Sequence, residues 1–142
     1  MLTIYGGPTF NATKVVLTAE EAGIDYEYVE LSLSQGEQKT PEHIKRHVLG
    51  KVPAIDHDGK TLFESCAICR YIALAFDTSL YSGNPYQRAV IDQWVDLMNC
   101  HIGRWLGVHY FQEYIKPNFF QQEADADALA ERVRISTTGN VG

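Results

Sequence analysis

The sequence predicts an α/β unit on a mixed sheet followed by an all-helical unit, on three observations. Strand-like and helix-like segments alternate from residue 2 to about residue 76. An Asp-Gly pair, Asp58 and Gly59, separates two short apolar runs and marks a hairpin, which an all-parallel sheet cannot contain. Beyond residue 87 the apolar residues recur only at helical spacing.

Residues 2–5, LTIY, read as a strand, and GGPTFN turns the chain into a helical pattern from about Ala12 to Ala22, with Gly23 placed to stop it. YEYVEL, residues 26–31, favours a strand whose alternating glutamates mark a wet face. The polar SLSQGEQK leads to Pro41, suited to the first turn of a short helix, PEHIKRHVL, ended by Gly50. VPAID and KTLFE then flank the turn HDGK. From Ser65 the run SCAICRYIALAF sets Ile68, Ile72 and Ala75 at helical spacing. The order is βαβ and then αββα, so the first two strands need a crossover and the last two form the hairpin.

After the loop DTSLYSGNPY, Val90, Ile91, Trp94, Val95, Met98, Ile102, Trp105 and Leu106 trace one apolar stripe. Pro117 is expected to break that helix, and residues 121–135 to form one more before the polar tail STTGNVG. The expected domains are therefore 1–77 and 87–142.

With 142 residues, 45% of them hydrophobic and 21% charged, the composition is that of an ordinary globular protein. A net charge of −6 argues against nucleic acid as a partner, because that binding rests on Lys and Arg neutralising phosphates. No stretch approaches the ~18 apolar residues of a membrane span, and MLTIYGG lacks the features of a secretory signal, so a cytoplasmic protein is expected. Three cysteines, Cys66, Cys69 and Cys100, make an odd count that suggests reduced thiols, not a disulfide framework.

This order of elements, together with GKVPAI joined through the DG hairpin to LFESCAICRYIA, resembles the glutathione transferase superfamily over residues 1–115. The resemblance implies a thioredoxin-like N-terminal domain, a helical C-terminal domain that is truncated here, glutathione as co-substrate, no metal, and a homodimer. In that family the proline of the VP pair is cis, so Pro53 is expected cis, offering the backbone of Val52 to the cysteinyl part of glutathione as an added strand would. Proline at the start of a strand also has a purely structural reading. Ser65 can be an ordinary N-cap. The resemblance implies that it also holds the γ-glutamyl carboxylate, at a helix end that favours anions, while Glu64 faces the amine. Gln38, Lys39 and Lys51 stand where similar proteins place donors for the glycine carboxylate; each singly reads as a solvated residue.

The thiol of glutathione must be ionised to react, and a donor near the sulfur favours that form. Phe10 stands about where plant-type and theta-like members carry a serine, and no cysteine follows the first strand. The pattern P-T-x-N-x-x-K-V is similar to that of nu-class and yeast-prion-like (Ure2-like) transferases, which implies that Thr9 and Asn11 contact the sulfur. Asn11 reads equally as the N-cap of the first helix, and Tyr5 is a fallback donor. The implied activity is conjugation of glutathione to a small-molecule electrophile or reduction of a small disulfide. The alternative is a non-catalytic glutathione-binding or protein-interaction module that retains the fold.

Other signals are set aside. Cys66-Ala-Ile-Cys69 has redox-pair spacing but does not follow the first strand. His43 and His47 are four apart on a short helix without a third ligand, and a solvated face is expected. His101 and His109 fall on the aromatic helix, where core or interface roles dominate.

Overall fold

The computed structural model of the protein describes residues 1–76 and 78–130. Its sheet has the strand order β2-β1-β3-β4, with β1 at Leu2–Gly6, β2 at Tyr26–Glu30, β3 at Ala54–His57 and β4 at Lys60–Phe63. β1 pairs in parallel with β2, with Ile4 opposite Tyr28, and antiparallel with β3, with Ile4 opposite Ile55. The sheet is therefore mixed, as the crossover and the hairpin require. At the hairpin, Asp58 and Gly59 have φ of 51° and 80°, the pair of left-handed residues that a two-residue turn between twisted strands needs.

The α1 helix (Phe10–Glu21) and α3 (Ser65–Ala75) pack against each other over the sheet. Val15 and Ala19 on α1 and Ile68 and Ile72 on α3, each pair spaced by four, join Leu2, Ile4 and Ile55 in one buried cluster. Alternation along β1 puts Leu2 and Ile4 on the same face, and helical spacing does the same on α1 and α3. Burying one such aliphatic side chain contributes about 1.5–3 kcal/mol. Gly23, at φ 64°, ends α1 as expected.

Several boundaries differ from expectation. The α1 helix begins before Ala12, and its N-cap is Thr9, whose hydroxyl accepts the Ala12 amide at 3.2 Å; Asn11 lies inside the first turn. The α2 helix (Pro41–Arg46) stops short because His47 turns extended, with φ −139°. Ser65 is the first residue of α3, and Glu64 stands at the cap position without a capping bond.

The chain divides into two compact units at Asp92/Gln93. Within the first, the start of α4 (Pro85–Asp96) is tied back through Asp92 to Arg70 at 2.5 Å and Tyr81 at 2.7 Å. In the second, wide π-type turns over Leu97–Ile102 and Tyr110–Phe120 flank α5 (Gly103–His109). Pro117 does not break this helical run, which continues through it to Phe120; reversal comes at Gln121, whose φ of 53° is left-handed and whose amide bonds Lys116. A proline removes one donor, and a run of wide turns absorbs that loss more readily than a regular α-helix does. Residues 121–125 are not helical, so the helix expected from residue 121 begins only at 126 and runs to 130; its expected remainder over 131–135, with the polar tail, lies outside the described residues. Trp94, Met98, Ile102 and Leu106 are exposed.

Candidate functional site

Three backbone features converge on the C-terminal side of β1. The Val52-Pro53 peptide is cis, as expected, and the β1–β3 ladder ends at the Tyr5–Ala54 pair, which leaves Val52 outside it. Glu64 has φ 73° and ψ 107°, a conformation that L-residues adopt only under constraint. It delivers the chain from β4 into the head of α3.

Asn11 and Ser65 are brought together. The Ser65 hydroxyl donates to Asn11 Oδ1 at 3.4 Å, joining the first turn of α1 to the first turn of α3. Ser65 is buried, whereas Asn11 and Glu64 are exposed. Thr9 accepts the Ala12 amide, and its own hydroxyl proton remains to be donated. The cap and the thiol contact can therefore coexist at Thr9, the residue that takes the capping role expected of Asn11. Tyr5 is engaged on its ring, with the Arg46 guanidinium 4.1 Å from the centroid and the His43 ring edge-on at 6.3 Å.

The expected donors for the glycine carboxylate share a neighbourhood in part. Lys39 Nζ donates to the Leu49 carbonyl at 2.9 Å, and the carbonyl of Gln38 lies so close to Gly50, at φ 55°, that a Cβ there would come within 2.8 Å of it. The Gln38 side-chain amide donates to Leu33 at 3.4 Å, so this residue spends a donor within its own loop. Lys39 has two further ammonium protons to offer. Lys51 is exposed, next to Gly50 in the chain.

Sequence reasoning misplaced the histidines. His43 and His47 are 1% and 3% exposed, whereas Val48, the residue an apolar pattern would bury, is 64% exposed. His43 Nε2 donates to the Lys51 carbonyl at 2.7 Å, and His47 Nδ1 accepts the Leu49 amide at 3.3 Å. A buried histidine is legible only when it meets a backbone group that needs it, and such partners are invisible in a one-dimensional pattern. Lys14, the lysine of the P-T-x-N-x-x-K-V pattern, has its ammonium 3.7 Å from Cys66 Sγ. Cys69, one turn on, is half-buried, and desolvation raises its pKa, with the nearby Thr18 hydroxyl opposing.

A separate open groove of about 490 Å³ lies between α1 and the edge strand β2, lined by Pro8, Thr13, Leu17, Tyr26, Tyr28 and Glu30. It contains none of the expected site residues. Among the described residues, no three His, Cys, Asp or Glu side chains are placed to hold a metal, and no helix is long and apolar enough to cross a membrane.

Comparison with known proteins agrees with this geometry. Residues 1–74 match the family described as the glutathione S-transferase N-terminal domain. A relative in Oryza sativa subsp. japonica, the probable glutathione S-transferase GSTF2, is 33% identical over 134 residues, covering 93% of this chain and 62% of its own length. The crystal structure of glutathione transferase F2 from Populus trichocarpa superposes with a TM-score of 0.82 at 30% identity, covering 94% of this chain and 64% of that one. A structure of glutathione S-transferase-I bound with lactoylglutathione superposes with a TM-score of 0.78 at 32% identity, covering 94% and 64%. The chain thus spans less than two thirds of the length of each of these three proteins. The rice and poplar proteins are plant transferases and lend no support to the nu-class or Ure2-like type. With more than half its length matched to the family and its sheet, cis turn and helix head in the expected order, the chain belongs to the glutathione S-transferase superfamily.

Proposed function

We propose that this chain binds reduced glutathione and stabilises its thiolate for transfer to an electrophile or for reduction of a small disulfide. The hydrogen bond between Asn11 and Ser65 carries the reading, because it sets a candidate thiol contact beside a candidate carboxylate contact. Val52 offers its backbone to the cysteinyl unit, Glu64 faces the γ-glutamyl amine, and Ser65 with the first amides of α3 receives the γ-glutamyl carboxylate. Lys39, Lys51 and Gln38 receive the glycine carboxylate. Thr9 and Asn11 donate to the sulfur and favour its charged form, as in the Thr/Asn type of transferase.

In conjugation, the thiolate attacks a carbon bearing chloride, forming a C–S bond as chloride departs. In disulfide reduction, it attacks one sulfur of the small disulfide and releases the other as thiolate; a second glutathione then resolves the mixed disulfide to oxidised glutathione. The three cysteines, none of them in a disulfide, suit a reducing cytoplasm. Self-association as a homodimer, covering exposed Trp94, Met98 and Leu106, belongs to the same proposal.

The test is thermal unfolding with and without glutathione, followed by assays with a chlorinated aromatic and with a small glutathione-reducible disulfide. A ligand selective for the folded state raises Tm by mass action. A melting temperature indifferent to millimolar glutathione overturns the proposal. A raised Tm with neither activity leaves binding without catalysis, the interaction-module alternative.

A further inference from the structure

We propose that His43 and His47 are positioning residues that hold the segment Leu49–Lys51, and through it the Val52 peptide, at the height the tripeptide requires. The proposal rests on the reading of Val52 and Glu64 as glutathione contacts. Each residue of the segment is fastened by a different group. The Leu49 amide donates to His47 Nδ1 at 3.3 Å, and the Leu49 carbonyl accepts from Lys39 Nζ at 2.9 Å. The Gly50 amide donates to the His47 carbonyl at 2.7 Å, and the Lys51 carbonyl accepts from His43 Nε2 at 2.7 Å. Both imidazoles are buried, and their rings stack at 6.5 Å, with Phe63 against the outer face of His47 at 4.8 Å. The next peptide in the chain is the cis bond between Val52 and Pro53.

The bond directions fix which nitrogen carries a proton. A carbonyl only accepts, so His43 Nε2 bears hydrogen; an amide only donates, so His47 Nδ1 is bare. A proton added to His47 Nδ1 turns the acceptor into a donor facing the Leu49 N–H, and the turn loses its fastening. The groups acting on His47 come from three directions: Glu64 ahead of α3, His43 on α2, and Lys51 in the segment itself. Burial is the largest influence and lowers the His47 pKa, His43 and Lys51 push the same way, and Glu64 opposes. Once charged, His47 also competes with the glutathione amine for the Glu64 carboxylate. His43 is faced by Tyr5 from β1, whose other neighbour is the Arg46 guanidinium.

The experiment is calorimetric titration of the full chain with S-methylglutathione, whose thioether does not titrate, between about pH 7.5 and pH 5, a range in which histidine alone changes charge by default. Wild-type affinity is expected to fall by a few-fold to about tenfold toward the acid end of that range, because an acceptor is lost and a buried donor is left unpaired. The loss sets in below the ordinary histidine range, since burial lowers the His47 pKa. His47→Asn keeps an acceptor near Nδ1 and should bind at pH 7.5 within a few-fold of wild type, with the acid loss flattened. His43→Gln keeps a donor near Nε2 and should likewise retain binding, whereas His43→Leu and His47→Leu should each lose about tenfold or more. If the Leu variants do not fold, the wild-type and His47→Asn pH profiles decide. Wild type that binds at pH 7.5 with an affinity flat to pH 5, or a His47→Asn profile identical to wild type, overturns the proposal alone. Wild type that binds nothing at pH 7.5 overturns the glutathione reading and this inference with it.

Discussion

Ser65 and Asn11, 54 positions apart in the chain, are joined by a hydrogen bond of 3.4 Å between side chains at the heads of two helices. Asn11 is exposed and does not cap its helix; Thr9 does. The two residues should therefore separate in mutagenesis. Asn11→Ala should lower Tm only slightly, because the bond it loses from the Ser65 hydroxyl is a long one of 3.4 Å, and should lower kcat/KM for conjugation by about 10- to 100-fold, the scale of a hydrogen bond to a charged sulfur. Thr9→Ala should lower kcat/KM and also cost about 1 kcal/mol of stability, the scale of a lost N-cap. Full activity in Asn11→Ala would remove that residue from the thiol site.

Glu64 holds a backbone conformation, φ 73° and ψ 107°, whose positive φ costs glycine less than a residue with a Cβ. Replacement by glycine should raise stability by about 1 kcal/mol in denaturant unfolding while abolishing the gain in Tm from glutathione. Glu64→Gln keeps the strain and loses only the charge. It should leave stability near wild type and weaken binding, and a Gly variant less stable than wild type would show the strain to be absent.

Gly50 is enclosed as well as left-handed, at φ 55°, and a Cβ would meet the Gln38 carbonyl, Ile44 Cδ1 and Lys39 Cδ, each at 2.8 Å. Gly50→Ala should cost about 2 kcal/mol or more, from the left-handed penalty plus displacement of neighbours. It should also weaken glutathione binding by moving Lys51 and Val52. Urea unfolding and calorimetry on one preparation measure both effects, and unchanged values would mean that the loop gives way freely.

Asp92 accepts from the Tyr81 hydroxyl and the Arg70 guanidinium, and these bonds hold its carboxyl below the ordinary 3.8. A carboxylate depressed in the folded state stabilises at pH above its unfolded value and loses that contribution as pH falls through the folded one. Wild type should therefore melt above Asp92→Asn by a constant margin at pH 5 and higher, and the margin should close below about pH 4. A margin undiminished at pH 3 would locate the effect in geometry and not in charge.

The first unit was legible because its cues are local. Asp58-Gly59 needs only its own backbone to make a turn, and the spacing of Ile68 and Ile72 needs only helical geometry. The cis bond at Pro53 became readable through family resemblance, since it does not follow from periodicity, whereas the bond between Ser65 and Asn11 appears only in the structure. What escaped depended on partners distant in the chain or on backbone groups. Thr9 displaced Asn11 as the cap because its hydroxyl reaches the Ala12 amide. His43 and His47 went inward, where Val48 did not, because the Lys51 carbonyl and the Leu49 amide needed them. Polar residues reveal such errands only in three dimensions.

The wide turns at Leu97–Ile102 and Tyr110–Phe120 change how the second unit must be measured. A π-type turn takes in an extra residue, so every side chain beyond it is rotated about the axis relative to those before it. Trp94, Leu106 and Tyr114 therefore cannot be aligned with a 3.6-residue ruler laid along the chain. Any surface that covers this helical run must wind around it, and alanine substitutions placed at every third or fourth position would sample several sides of the rod where one was intended.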